Sequence, residues 1–252
     1  MININEASGR RSLLLLGIGA FILFAILSFP ARLAVKLVLP DNALTRDVSG
    51  TIWSGKLGIL QFPQLTLNDC EWRVRPLAFL TARVSLKVKA RVYDGALQSV
   101  VTLSPGGKVR LKDLAGVVPV AALAHIIPPN FVDGRIGLDL AKLTVAEQWV
   151  IDAHGTVDLV GLQLTSPIQE ELGSYEIVFD GTRDNTLQGT ISEVDGPLVA
   201  SGVLSLNADR SWLLDGSVRP EPTASRQLVQ ALSMLGARSP DGSYPLSARG
   251  SN

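Results

Sequence analysis

Residues Arg83 to Tyr93 read RVSLKVKARVY, and this stretch decides the fold class. Val84, Leu86, Val88, Ala90 and Val92 fall on one parity; Arg83, Ser85, Lys87, Lys89 and Arg91 fall on the other. Successive side chains of a strand point to opposite faces, so the segment predicts a strand with one apolar and one wet, cationic side. The same period of two appears around Trp53, Leu57 and Ile59, and at Cys70, Trp72 and Val74. It returns at Leu97 to Leu103, Ile136 to Leu140, Val157 to Leu159, Tyr175 to Phe179, Leu198 to Leu206 and Trp212 to Val218.

Between these runs lie turn signals: Asp94-Gly95, Asp133-Gly134, Asp180-Gly181, Asp195-Gly196, Asp215-Gly216 and Asp241-Gly242. Asp tolerates positive φ and Gly adopts it without steric cost, which suits tight hairpin turns. Short strands with regular turns predict a mostly antiparallel sheet, as a curved groove, a sandwich or an open barrel. Two helices are expected to interrupt it. One covers Leu111 to Ile127, with Asp113 as its cap and Pro128-Pro129 as its stop. The other covers Thr223 to Leu235, with Thr223 or Ser225 as its cap and Gly236 just past its end.

The amino-terminal side differs. From Leu13 to Phe29 the sequence LLLLGIGAFILFAILSF holds no charge. A helix of that length spans about 26 Å, close to the ~30 Å hydrocarbon core of a bilayer once Pro30 to Ala34 are added. Arg10 and Arg11 precede it, which places the amino terminus in the cytoplasm by the positive-inside rule. Cleavage by signal peptidase fits poorly, because Phe29 or Arg32 would occupy the position that requires a small residue. The expected organisation is a cytoplasmic end (1–12), a transmembrane anchor (13–34) and a periplasmic β-rich domain (41–252).

Composition narrows the chemistry. The 23 basic and 23 acidic residues cancel, so the chain offers no overall field for nucleic acid. The single cysteine, Cys70, excludes an internal disulfide and any Cys-rich metal site. His125 lies in an apolar run and reads as a core or boundary residue. His154 with Asp152 supplies two ligands where a metal site needs three or four. No GxSxG, GxxxxGK[ST], HExxH or CxxC pattern is present, so a periplasmic hydrolase is disfavoured. No catalytic, cofactor or metal residue is expected. The cationic side chains Arg83, Lys87, Lys89 and Arg91 are the candidate contact with a partner or with lipid headgroups; their other reading is an ordinary wet face that discourages edge aggregation.

Two elements follow the apolar segment: VSGTIWSGKLGIL, with Gly50, Thr51, Trp53 and Gly55, then CEWRVRPLAFL, with Trp72, Pro76 and Leu77. Towards the end stand Val218-Arg219-Pro220 and Gly242-Ser243-Tyr244-Pro245-Leu246. In this order they resemble the type II secretion system protein N family. The resemblance implies a non-enzymatic accessory protein of the bacterial inner membrane that contacts other secretion subunits, with the motif residues serving the fold. An anchor followed by a long strand meander also resembles AsmA-type periplasmic proteins. That likeness implies an apolar groove and a phospholipid partner. Alternation by itself does not separate a filled core from an open groove.

Overall fold

The computed structural model describes residues 4–39, 43–61, 66–74, 84–104, 106–123, 131–166, 168–234 and 236–251, with side chains from 15 onward except 37 and 38. Helix α1 (Ile4–Leu27) opens the chain. Its described apolar side chains stand exposed, among them Leu15 (70%), Phe21 (71%) and Phe24 (67%). Among the described residues no helix is long and apolar enough to cross a membrane. Pro30 ends this run, and residues 31–34 form the first turn of a separate amphipathic helix, α2 (Ala31–Val38).

The rest is one antiparallel sheet in which every strand pairs with its neighbours in sequence. Its first half is β1 (Leu44–Gly50), β2 (Ser54–Gln61), β3 (Thr66–Val74), β4 (Val84–Val92), β5 (Gly95–Leu103) and β6 (Val109–Pro119). The longest strands follow: β7 (Val132–Ala146), β8 (Trp149–Leu164) and β9 (Glu170–Arg183). The last are β10 (Thr186–Asp195), β11 (Leu198–Asn207), β12 (Ser211–Pro220) and β13 (Tyr244–Ser251), with helix α3 (Arg226–Leu232) between β12 and β13. Neither β1 nor β13 pairs with a further strand, so the sheet is open, and the described strands form neither a two-sheet sandwich nor a closed barrel.

β4 forms as its alternation predicts. Lys87, Lys89 and Arg91 are exposed, whereas Ala90 and Val92 are buried. The predicted helix over Leu111 to Ile127 does not form: residues 109–119 are β6, and Val120–Leu123 make a short 3₁₀ turn. Pairing with β5 explains the error. Lys112 faces Val100 but Ala115 faces Gln98, so β6 takes three steps where β5 takes two, and Asp113 within that step is held at φ 50°. This bulge converts a period of two into apolar spacings of three and four at Leu111, Leu114 and Val118, which imitate a helix. His125 and Pro128-Pro129 lie outside the described residues.

The second predicted helix does form as α3. The Ser225 hydroxyl accepts from the Leu228 amide at 3.1 Å, satisfying one of the unpaired first-turn donors. Leu228 and Leu232 are buried against Leu198, Val218 and Tyr244. Helix α2 plays the matching part at the opposite edge, where the fully buried Ala31 meets Val48, Leu57, Cys70 and Ala90. A third cluster, around Val92, Val118 and Ile136, lies under the 3₁₀ turn.

The Asp-Gly pairs divide. Asp94-Gly95 and Asp195-Gly196 sit at hairpin turns, and Asp241-Gly242 precedes β13. Asp133-Gly134, Asp180-Gly181 and Asp215-Gly216 lie inside β7, β9 and β12. At Gly216 the reason is close approach between strands, since a Cβ would stand 2.4 Å from the Ser201 carbonyl oxygen.

Candidate functional site

Two features of the first four strands carry the residues singled out in the sequence: a junction between helix and sheet, and a cationic face beside it.

The junction is built by the Gly50-Thr51-x-Trp53-x-Gly55 element. Gly50 ends β1 at φ +91°, and a Cβ there would stand 2.5 Å from the Ser54 carbonyl oxygen. The chain can therefore reverse tightly, with the Thr51 amide donating to that same oxygen at 2.9 Å. The reversal aims the next residues at the incoming helices. Thr51 bridges Pro30, the Ile52 amide donates to the Phe29 carbonyl at 3.0 Å, and the Trp53 indole donates to the Ile26 carbonyl at 3.0 Å. Ile26 belongs to the last turn of α1, where carbonyls lack partners within the helix. From α2, the Arg32 guanidinium donates to the Val48 carbonyl at 2.9 Å.

Trp72 supports the junction from β3. It faces Gly55 across the β2–β3 pair, and its ring lies where a Cβ on Gly55 would be, 2.3 Å from the indole Cζ2. Its indole N–H reaches the Ile52 carbonyl at 3.2 Å. The Val74 amide donates to the Trp53 carbonyl at 2.7 Å. Five of the motif residues, Gly50, Thr51, Trp53, Gly55 and Trp72, thus act together on one connection. Pro76 and Leu77 lie outside the described residues.

The cationic face lies on the opposite side of β2–β4 from Cys70. Cross-strand pairing sets Lys56 beside Glu71, Glu71 beside Lys89, and Arg73 beside Lys87. Lys56 and Glu71 form an ion pair of 2.5 Å, which raises the lysine and holds the carboxyl below its usual range, with Lys89 and Arg73 adding to the second effect. Arg91 pairs with Asp69 at 3.2 Å. Among the described residues Arg73, Lys87 and Lys89 make no ion pair. Of the four cations predicted as a contact set, Lys87, Lys89 and Arg91 do share this face, and Arg83 lies outside the described residues. Lys56 and Arg73 join them. Residue spacing in one strand carried no signal for those two, because they arrive from β2 and β3.

The remaining candidates are structural in character. Burial pushes the Cys70 thiol up to about 11, which leaves it protonated and unreactive. Asp152 faces Lys142 at 2.6 Å and accepts from the Thr182 amide at 3.2 Å; His154 stands 3.5 Å away. Burial pushes the Asp152 carboxyl up, but the Lys142 and Thr182 hydrogen bonds and the nearby charges outweigh it and lower the carboxyl. Among the described residues no three His, Cys, Asp or Glu side chains gather as metal ligands.

The family model described as "Type II secretion system (T2SS), protein N" matches residues 42–247, a span that contains the junction motif, strands β1 to β12 and the first half of β13. The chain belongs to the type II secretion system protein N family. Curated relatives of that name agree along nearly their whole length. The protein of Aeromonas hydrophila is 26% identical over 240 residues, covering 92% of this chain and 94% of the relative. That of Vibrio cholerae serotype O1 is 23% identical, covering 89% and 92%. That of Pectobacterium carotovorum is 21% identical, covering 92% and 93%. No solved structure gives a significant match. The family resemblance read from Gly50, Thr51, Trp53, Gly55 and Trp72 is thereby borne out.

Proposed function

We propose that this chain is a single-span component of the type II secretion machinery in the bacterial inner membrane, whose sheet acts in the periplasm through contacts with other secretion subunits and without catalysis. The observation that carries this reading is the junction. A helix with exposed apolar side chains is tied by its last turn to the sheet through Trp53 and Ile26. Such a tie holds a binding surface at a set position beside the membrane, which suits an assembly protein. Family membership supplies the machine, and the uncharged run from Leu13 to Phe29 supplies the anchor.

The test is a deletion strain in which a normally secreted hydrolase is assayed in periplasmic and extracellular fractions, together with protease protection of residues after 43 in spheroplasts. Periplasmic accumulation restored by the wild-type gene, and digestion only from outside, support the proposal. Unchanged export, or digestion only from the cytoplasmic side, overturns it.

One observation favours a second reading. The apolar side of the sheet has no second sheet packed on it among the described residues, and Val84, Leu86 and Val88 on it are only half-buried. An acyl chain laid along that side would make the protein a lipid carrier. Photo-crosslinkers at those three positions separate the readings, because only the carrier yields phospholipid adducts.

A further inference from the structure

We propose that the cationic face is a groove that binds an extended, acidic segment of a partner protein. This deepens the secretion-component reading and rests on it. The face is recessed rather than flat. One depression of about 550 Å³ lies over β1–β4, rimmed by Lys56, Arg73, Lys87 and Lys89. A second of about 330 Å³ shares Lys87 and Lys89 with it, and a third of about 470 Å³ shares Lys89 and Gln98 with the second. A fourth, of about 320 Å³, shares Ala96 and Gly116 with the third and ends at β7. Together they form one trough crossing seven strands, about 29 Å at the usual strand spacing of ~4.8 Å. Ala96 and Ala115 floor its middle, so the long side chains stand along it and not across it.

Charge then selects the occupant. Lys56 is cancelled by Glu71, Arg91 by Asp69 and, at the far end, Arg135 by Asp94. Three cations, Arg73, Lys87 and Lys89, remain against one carboxylate, Asp113. Arg73 and Lys87 are cross-strand neighbours and Lys89 stands two residues along β4 on the same face, so the three uncancelled cations make a short row over β3 and β4. The recessed floor also keeps a flat bilayer from reaching it. An extended chain of about nine residues matches the trough in length at ~3.3 Å per residue, and acidic side chains would meet the uncancelled row.

The test uses the full chain in uncharged detergent micelles and a fluorescein-labelled peptide of alternating Glu and Ser, followed by anisotropy. Binding is expected, weakening as salt rises, and weakening roughly tenfold or more in the Lys87→Glu/Lys89→Glu variant. Ala115→Glu, which obstructs and charges the floor, is expected to act the same way. Arg249→Glu, on β13 and remote from the trough, is expected to leave binding unchanged. Three results would overturn the proposal: no peptide binding, binding indifferent to both trough variants, or lysine-dependent binding to phosphatidylglycerol vesicles with none to the peptide. Self-association abolished by Lys87→Glu/Lys89→Glu would also overturn it, since the occupant would then be a second copy. Failure here leaves the secretion reading standing, because the deletion strain tests that reading without the peptide.

Discussion

The indole nitrogen of Trp53 donates to the carbonyl oxygen of Ile26 across 3.0 Å, joining residues 27 positions apart. With the Phe29–Ile52 backbone bond and the Pro30–Thr51 bridge, it turns the exit of α1 into part of the sheet. A flexible linker at this point would leave the sheet free to swing. Three successive attachments hold it.

Replacing Trp53 with Phe keeps most of the ring and removes the donor. The bond is exposed, so the expected cost is about 0.5–1.5 kcal/mol, confined to the junction. Amide hydrogen exchange should show faster exchange at Ile52 with β7–β9 unchanged. Unaltered protection at Ile52 would mean that the indole bond contributes nothing to the attachment.

Gly55 leaves no space for a side chain. A Cβ would meet Trp72 Cζ2 at 2.3 Å and the Ser49 carbonyl oxygen at 2.8 Å. Gly55→Ala should therefore displace the indole and cost about 1–3 kcal/mol. The checks are a lowered melting temperature and a changed near-ultraviolet tryptophan signal. An unchanged spectrum would show that the ring has room to spare.

Helix α3 should separate its two supports by size. Ser225→Ala removes the cap for about 1 kcal/mol, whereas Leu228→Ala empties a buried site for about 2–5 kcal/mol. Urea unfolding midpoints of the two variants test the order. Equal losses would place the helix's stability in its cap instead of its apolar contacts.

Asp152 makes stability depend on pH in one direction. Its carboxyl is held below the ordinary value of 3.8, so the contribution is complete above that value and is lost as pH falls through the lower folded value. Asp152→Asn should be less stable at neutral pH and show a flatter acid limb in thermal melts. Parallel acid limbs would remove Lys142 and Thr182 as the cause.

Cys70 should resist thiol reagents at mildly alkaline pH, since it is buried and its thiol is pushed up to about 11. Labelling is expected only on unfolding, at a rate that follows the unfolding rate. Rapid labelling of the native protein would contradict the packing of Cys70 with Ala31 and Leu57.

How much was legible in the sequence depended on whether the signal was local. Arg83 to Tyr93 announces its strand because pleating imposes a period of two on every residue, and α3 announces itself through Ser225, Leu228 and Leu232. β6 misleads because Asp113 lies in a bulge, and a bulge is defined by its partner: only the step from Val100–Lys112 to Gln98–Ala115 reveals the extra residue. The same holds for Asp215-Gly216, where glycine answers to the approach of β11 and not to a turn.

The sequence by itself determined the β class, the face on which each regular strand carries its apolar side chains, and the family, because these follow from the order of residues along one segment. Only the tertiary structure decided that the sheet is single and open, that Trp53 closes on Ile26, and that Lys56, Arg73, Lys87 and Lys89 share one trough. Those facts depend on register between strands. Register is set by the packing of whole faces and by bulges, and a shift of one residue would turn the same lysines to the other side.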